Sequence, residues 1–366
     1  MPTANDFIPS GYTATVDSGN FRWSAPSNIA LVKYWGKKDN QVPANPSVSF
    51  TLRKCRTVTS VAFSRKADDG QFSFELLFDG QPKEDFKPKI LNFLERTTAY
   101  LPFLKQYHFT IDTTNTFPHS SGIASSASGM AALAMNFMSI EKALNPEMSD
   151  DYFYQKASFL ARLGSGSACR SIKGNIVVWG QHYGTAGSSD LFGIPLPSPA
   201  HEIFDNYRDT ILLVDKGEKQ VSSTIGHALM HGHPFAAQRF EQAQQNLSLI
   251  TAALQTGDLD AFIRIVESEA LTLHAMMMSS QPYFILMKPN TLEIINSIWK
   301  FRTETKIPVC FTLDAGANIH LLYPESHSDS VLQFIKDKLV GYCENGQYIC
   351  DEIGTGASII GAENDQ

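Results

Sequence analysis

An α+β fold in two unequal domains is what this sequence predicts, and three observations predict it. The chain has 366 residues, more than one hydrophobic core usually organises. Its 43% hydrophobic and 18% charged residues, with 24 Phe among them, give ample apolar surface to bury and exclude a disordered or fibrous chain. Strand-like runs crowd the start and helical runs dominate later, without the strict βαβ alternation of a doubly wound sheet.

The elements follow in order. Residues 1–20 are polar, turn-rich and without period, and predict a flexible N-terminal extension. From Phe21 onward, β-branched or aromatic runs at 28–33, 48–52, 57–63 and 72–78 are separated by Gly, Pro or Asp and read as strands. A helix at 87–100 and a strand at 108–113 precede a loop that feeds an Ala/Met-rich helix at 124–142. A helix at 150–163 and a strand at 175–179 complete the first half. The segment GTAGSSDLFGIPLPSP at 184–199 concentrates Gly, Ser and Pro and marks the connection, so the domains are read as 21–190 and 191–366. The second half reads as a strand at 210–215, helices at 234–255, 259–277 and 291–303, strands at 309–313 and 319–323, and a helix at 328–340.

No stretch approaches the ~20 uninterrupted apolar residues of a membrane span, and the start lacks a basic segment followed by an apolar one. A cytoplasmic protein without a membrane partner is expected. The cysteines (Cys55, Cys169, Cys310, Cys343 and Cys350) are odd in number and form no CxxC pair, so they read as reduced thiols and not as a zinc site. A net charge of -7 excludes a general nucleic-acid binder, which carries a broad cationic field. Any anionic ligand must therefore be held by local groups.

The most informative segment is NTFPHSSGIASSASGMAALA at 115–134, in which a strand ends, a small-residue loop follows and a helix starts. Gly122, Ser125, Ser126 and Ala127 leave the backbone uncluttered, and the first N–H groups of the helix can receive polyphosphate oxygens. Ser125 and Ser126 can add hydroxyl contacts or hold Mg²⁺. The spacing is neither that of a Walker loop nor GxGxxG. Taken alone, such a helix start is as often just a well-capped helix.

Two cationic segments and an acidic one supply the context. In NIALVKYWGKKD at 28–39 an apolar strand runs into Lys33, Tyr34, Trp35, Lys37 and Lys38. A solvated turn explains Lys38 well, but Lys33, five residues into a strand pattern, needs a buried partner or a functional reason. In GSGSACRS at 164–171, Ser165 and Ser167 can donate to phosphate or carboxylate and Arg170 can grip a carboxylate through two parallel bonds. In FTLDAGAN at 311–318, Asp314 ends a hydrophobic strand, where it can act as a base or orient a hydroxyl. As a lone observation it would more often be a turn-forming aspartate. His119, His274 and His320 lack metal-ligand spacing and read as structural.

Together these segments resemble one family, the diphosphomevalonate decarboxylases of the GHMP kinase superfamily. NIALVKYWGKKD, NPSVSFTL at 45–52, FPHSSGIASSASG at 117–129, GSGSACRS and FTLDAGAN carry the likeness, and VSST at 221–224 and LHA at 273–275 add weaker matches in the same order. KYWGK and GSGSACRS are the specific ones, since GHMP kinases at large share only the phosphate loop. Departures are Pro46, where a serine is common beside a substrate-facing Ser47, His119-Ser-Ser for Thr-Ala-Ala, and Ala317 for a proline.

The resemblance implies a two-domain GHMP kinase fold with the active site in the cleft between the domains. The first domain would be ribosomal-protein-S5-like and carry the phosphate loop, and the second would be a ferredoxin-like α/β domain. It implies ATP and Mg²⁺, ATP lying against Ser120, Ser121, Gly122, Ala124, Ser125 and Ser126, with Ser125 as the metal contact. It implies Asp314 as the catalytic aspartate facing the 3-hydroxyl, Arg170 and Asn28 on the substrate carboxylate, and Lys33 near the reacting phosphoryl group. Tyr34, Lys37, Ser165 and Ser167 would contact the diphosphate, and a homodimer would be the assembly. The expected reaction is ATP-dependent decarboxylation of diphosphomevalonate. A monophosphate decarboxylase, a 3-kinase that stops at phosphorylation, and a non-catalytic nucleotide-binding module are the rivals.

Overall fold

The computed structural model describes residues 2–67, 69–118, 123–217 and 223–361. The first half is built on a sheet of β1 (Ser18–Val32), β2 (Ser47–Arg65), β3 (Ser73–Phe78), β4 (Gln81–Pro82), β5 (Tyr107–Asn115), β6 (Ile176–Trp179) and β7 (Ile194–Pro195). Its central order is β1-β2-β5-β3-β4, with β6 on β2 and β7 on β6; β3 and β5 run parallel and the other pairs antiparallel. The runs expected at 48–52 and 57–63 belong to the single strand β2. Pro26, which cannot donate to a ladder, sits in β1 at a register shift between Pro26 and Asn28 that lets the strand continue.

Helices α1 (Lys87–Thr97), α2 (Ser125–Leu144) and α3 (Asp150–Gly164) cover this sheet. Alternating small and large residues bury α2 almost all round, from Ala127 to Leu144, as befits a central helix. Ser149 caps α3 by accepting from the Tyr152 N–H at 3.3 Å, with Asp150 and Asp151 in the first turn favouring the positive helix end.

The second half is a four-stranded sheet in the order β11-β8-β10-β9, made from β8 (Arg208–Leu212), β9 (Cys310–Thr312), β10 (Ile319–Tyr323) and β11 (Tyr348–Glu352). Its helices are α4 (Ser223–Ala228), α5 (Ala236–Thr256), α6 (Leu259–Met278), α7 (Pro289–Thr305) and α8 (Ser328–Phe334). Asp258 caps α6 by accepting from the Ala261 N–H at 2.9 Å, and Gly257 ends α5 at φ 75°, a left-handed conformation that favours glycine. The two halves share a core: Ile29, Leu31, Val48 and Phe50 of the first sheet pack with Ile211, Leu247 and Phe262 of the second half. The arrangement is the α+β architecture in two domains.

One sequence expectation is corrected. The 1–20 segment is not loose: Phe7 is 1% exposed and stacks on Phe159, and the Thr13 and Ala14 N–H groups donate to the Leu144 carbonyl. A single aromatic in a polar stretch anchors it, a signal too sparse to show a period. Strands also cross back over the expected division at 190 and 191: β7 returns to β6 and β12 (Ser358–Ile359) returns to β1. No helix among the described residues is long and apolar enough to cross a membrane.

Candidate active site

Lys33 stands where the halves meet. β1 ends at Val32, so the next peptide lacks a ladder partner, and the second half supplies one. The Lys33 N–H donates to Glu269 Oε2 at 2.8 Å, and its carbonyl accepts from Arg239 at 3.0 Å and from Asn45 at 2.8 Å. Arg239 and Glu269 are themselves a two-pronged, fully buried pair at 3.0 and 2.6 Å.

The Lys33 side chain then reaches Asp314, with Nζ 2.9 Å from Oδ1. The lysine side chain is 2% exposed and the aspartate side chain 33%, so the carboxylate opens outward while the ammonium does not. Burial lowers the Lys33 pKa, Asp314 and Glu269 oppose that, and Arg170 adds to it. Asp314 lies just past β9 in a loop fixed at several points. His274 Nε2 donates to the Asp314 carbonyl at 3.2 Å, the Thr291 hydroxyl donates to the Ala317 carbonyl at 2.8 Å, and Asn318 and Asp215 exchange two bonds at 2.9 and 3.0 Å. Burial pushes His274 down to about 4, so the ring is neutral and carries its proton on the donating Nε2.

Arg170 is 3% exposed, in a turn of 3-10 helix at Gly166–Ser171, and its bonds run to neutral atoms. Nε donates to Asn28 Oδ1 at 3.3 Å, one terminal nitrogen donates to the Ser47 hydroxyl at 2.7 Å, and the guanidinium lies 5.6 Å from the centre of the Trp179 ring. Asn28 is held in turn by the Ser167 carbonyl at 3.2 Å and the Ser171 hydroxyl at 2.8 Å. Asp314 acts electrostatically on Arg170, opposing the lowering that burial causes. A buried cation with only neutral hydrogen-bond partners is costly by several kcal/mol, and an anionic ligand would offset that cost.

Tyr34 and Lys37 extend the same wall. The Tyr34 hydroxyl is enclosed and has no hydrogen-bond partner among the described residues, while its ring lies 4.6 Å from that of Trp179 and 4.2 Å from that of His227. Half-buried Lys37 touches Gln41 at 3.4 Å, and burial, then nearby Arg96, lower its pKa. Arg96 donates to the Leu163 carbonyl at 3.0 Å, next to Gly164 and the part-exposed Ser165 and Ser167. His227 accepts the Gly36 N–H on Nδ1 at 3.0 Å and is depressed to about 3 by burial, then by Lys37 and Arg170. Both cations thus act on one neutral imidazole.

The phosphate-loop expectations divide. Ser120, Ser121 and Gly122 lie outside the described residues. Ala124 sits at the start of α2 in a left-handed conformation at φ 41°, and no side chain caps the helix. A non-glycine residue in that region costs ~1–2 kcal/mol, and such strain gathers at ligand clamps. Ser126 Oγ accepts from Lys89 Nζ at 2.5 Å. Beside them, between the sheet, α1 and α2, opens a mostly apolar cavity of about 300 Å³ lined by Phe78, Phe86, Ile111, Lys89, Ser125 and Ser126. No cluster of three or more His, Cys, Asp or Glu side chains forms a metal cage among the described residues. That donor set still fits Mg²⁺ carried by a polyphosphate, which needs few protein ligands.

Comparison with known proteins decides the family. The Diphosphomevalonate decarboxylase-like N-terminal domain matches residues 25–190, and the Mevalonate 5-diphosphate decarboxylase C-terminal domain matches 210–358. A diphosphomevalonate decarboxylase of Ganoderma lucidum is 30% identical over 333 residues, 85% of this chain and 80% of that protein. The chain belongs to the diphosphomevalonate decarboxylase family. The mevalonate diphosphate decarboxylase of Staphylococcus aureus matches with a TM-score of 0.79 at 28% identity, over 94% of this chain and 98% of that one. A structure of MDDEF in complex with MVAPP, AMPPCP and magnesium matches equally well, at a TM-score of 0.79 and 28% identity, over 93% of this chain and 98% of that one.

Motif reading of this decarboxylase-family chain thus named Lys33, Asp314, Arg170 and Asn28, which the fold brings to one junction. It missed Arg239, Glu269, Lys89 and Arg96. Arg239 and Glu269 lie on amphipathic helices where charged residues are ordinary, and only the partner strand reveals their burial.

Proposed function

We propose that this chain catalyses the ATP-dependent decarboxylation of (R)-5-diphosphomevalonate to isopentenyl diphosphate, ADP, phosphate and CO₂. The observation that carries the reading is the Lys33–Asp314 pair, open on its carboxylate side and sharing its junction with a buried Arg170 bonded to neutral atoms. Asp314 takes the proton of the substrate's 3-hydroxyl, and that oxygen attacks the γ-phosphorus of ATP, releasing ADP. A tertiary hydroxide is a poor leaving group, and phosphorylation makes its departure feasible. The C3–O bond then breaks with its electron pair going to phosphate, and the C1–C2 electrons form the C2=C3 bond as CO₂ leaves. Phosphoryl transfer of this kind depends on positioning and charge stabilisation more than on covalent help.

Each side chain has a task. Arg170, aligned by Asn28 and Ser47, grips the carboxylate that becomes CO₂. Lys33 offsets anionic charge at the reacting phosphoryl group. Tyr34, Lys37, Ser165 and Ser167 take the diphosphate, and the Lys37–Arg96 side of the cleft favours two phosphates over one. Ala124, Ser125 and Ser126 with Lys89 receive the ATP phosphates, and the adjoining apolar cavity accepts the base. Mg²⁺, held at Ser125 and on the phosphates, would neutralise anionic oxygens. The family resemblance also supports a cytoplasmic homodimer, which sedimentation at monomer mass would remove.

The test is a coupled assay of mevalonate, its 5-phosphate and its 5-diphosphate with Mg-ATP. Only the diphosphate should release CO₂, ADP and phosphate together. ADP without CO₂ would reduce the activity to a kinase, and preference for the monophosphate would reassign the substrate.

A further inference from the structure

Arg239 and Glu269 lie outside every motif that carries the family likeness, yet they take both polar atoms of the Lys33 peptide. Stability alone is a weak account of them, because a buried ion pair often does no better than apolar residues of the same volume. The Glu269 carboxylate is fully occupied, while Arg239 Nε is buried without a hydrogen-bond partner among the described residues. Glu269 Oε1 accepts from Arg239 at 3.0 Å and from Asn246 at 2.6 Å, while Oε2 accepts from Arg239 at 2.6 Å and from the Lys33 N–H at 2.8 Å. A carboxylate so occupied cannot swing away, and the Lys33 peptide cannot move without it.

One helix, moreover, holds both ends of the catalytic pair. Glu269 grips the Lys33 backbone, and His274, on the same α6, grips the Asp314 carbonyl at 3.2 Å. Five residues of helix rise about 7.5 Å, a rigid spacing against which the 2.9 Å contact between Lys33 and Asp314 is set. The chain's two halves supply one partner each, so their register at this point decides whether the pair forms.

We propose that α6 is the positioning element of the site, Glu269 with Arg239 fixing Lys33 and His274 fixing Asp314. Neither Glu269 nor His274 is assigned contact with the reacting atoms. The inference rests on the decarboxylase reading for its kinetic test. Lys33 is faced by Asp314, Glu269, Arg239, Arg170, Asp209 and His274. Removing the Glu269 charge therefore takes away an anionic neighbour that favours the ammonium.

The experiment compares the full-length wild type with Glu269→Gln, Glu269→Asp and His274→Gln, each first shown to be folded by its melting transition. In Glu269→Gln, kcat falls by about 10²-fold, the cost of a small misplacement at a reacting centre, while KM for ATP holds. The alkaline limb of its kcat profile moves to lower pH, and lysine side-chain NMR shows the Lys33 titration moving the same way. Glu269→Asp recovers much of the rate. His274→Gln lowers kcat and leaves the alkaline limb in place. A folded Glu269→Gln with wild-type kcat, or a Lys33 titration that stays put, overturns the proposal. If Glu269→Gln does not fold, Arg239→Lys, which keeps every charge, is judged on kcat against KM for ATP: a lower kcat at unchanged KM supports the clamp, and a wild-type kcat overturns it. A wild type that turns over no mevalonate derivative would remove the decarboxylase reading, while the Lys33 titration would still decide the clamp.

Discussion

Two lysine–carboxylate pairs in this molecule use the same chemistry in opposite settings. Lys156 and Glu141, between α3 and α2, meet at 2.5 Å with side-chain exposures of 0% and 1%. The further contacts come from the protein itself: the Tyr100 carbonyl accepts from Lys156 at 2.8 Å and the Tyr12 hydroxyl donates to Glu141 Oε1 at 3.5 Å, while Glu141 Oε2 is buried without a hydrogen-bond partner among the described residues. Lys33 and Asp314 meet at 2.9 Å, but the aspartate is 33% exposed, and Arg170 acts on it from the same junction. Pairing distance does not separate a structural pair from a reactive one. What separates them is whether the carboxylate can still be reached by something from outside.

Breaking each pair should therefore damage different things. Asp314→Ala should cut kcat by about 10³-fold, the upper range for losing one oriented polar group in an active site, with ATP binding close to wild type and a lower melting temperature, because it strands the buried Lys33 ammonium. Near-normal turnover would refute its role. Lys156→Ala should instead cost ~3–5 kcal/mol of stability, the usual penalty for stranding a buried charge, read as a lower urea midpoint. The kcat per folded molecule should hold, and a large loss of it would make that pair part of the site.

A smaller effect tests the far end of the cleft. Lys37→Ala and Arg96→Ala should each raise KM for the diphosphate substrate about tenfold, as losing one charged hydrogen bond of ~1.5 kcal/mol predicts. Equal loss with the monophosphate would remove them from the second phosphate.

A last effect, spread over a pH range, concerns the two buried neutral imidazoles His227 and His274. An unfolded histidine has a pKa of ~6.5, whereas burial holds His227 at about 3 and His274 at about 4. Between those values the unfolded chain binds more protons, so stability drops as pH falls below ~6.5, by up to ~1.4 kcal/mol per pH unit for each ring. Thermal melts from neutral toward pH ~5 should show the decline, and His227→Gln should roughly halve its slope, with His274 supplying the rest. An unchanged slope would contradict their neutral burial.

The sequence showed the open pair better than the sealed one. Lys33 and Asp314 stand out because each breaks the apolar pattern of a strand end, and Arg170 stands out as a fixed charge among the small residues of a segment whose Ala168, Cys169 and Ser171 are buried. Lys156 and Glu141 sit on helices where charge is ordinary, and their contact spans α2 and α3. Arg239 and Glu269 were hidden for the same reason, since only the end of β1 shows why they are buried. The N-terminal segment reads as loose because Phe7 is its one fully buried side chain among the described residues and its backbone bonds to Leu144 leave no pattern in the sequence. β11 went unread because its Tyr348–Glu352 run is short and polar at its end, and its pairing partner β8 is far away in sequence.

One measurement bears most directly on the claim that the open pair phosphorylates a hydroxyl so that CO₂ can leave. ADP and CO₂ released from diphosphomevalonate are counted together in wild type and Asp314→Ala. Equal amounts in the wild type, and both products released about 10³-fold more slowly by the variant, are the predicted result. CO₂ released without ADP, or both products released at wild-type rate by Asp314→Ala, would contradict it.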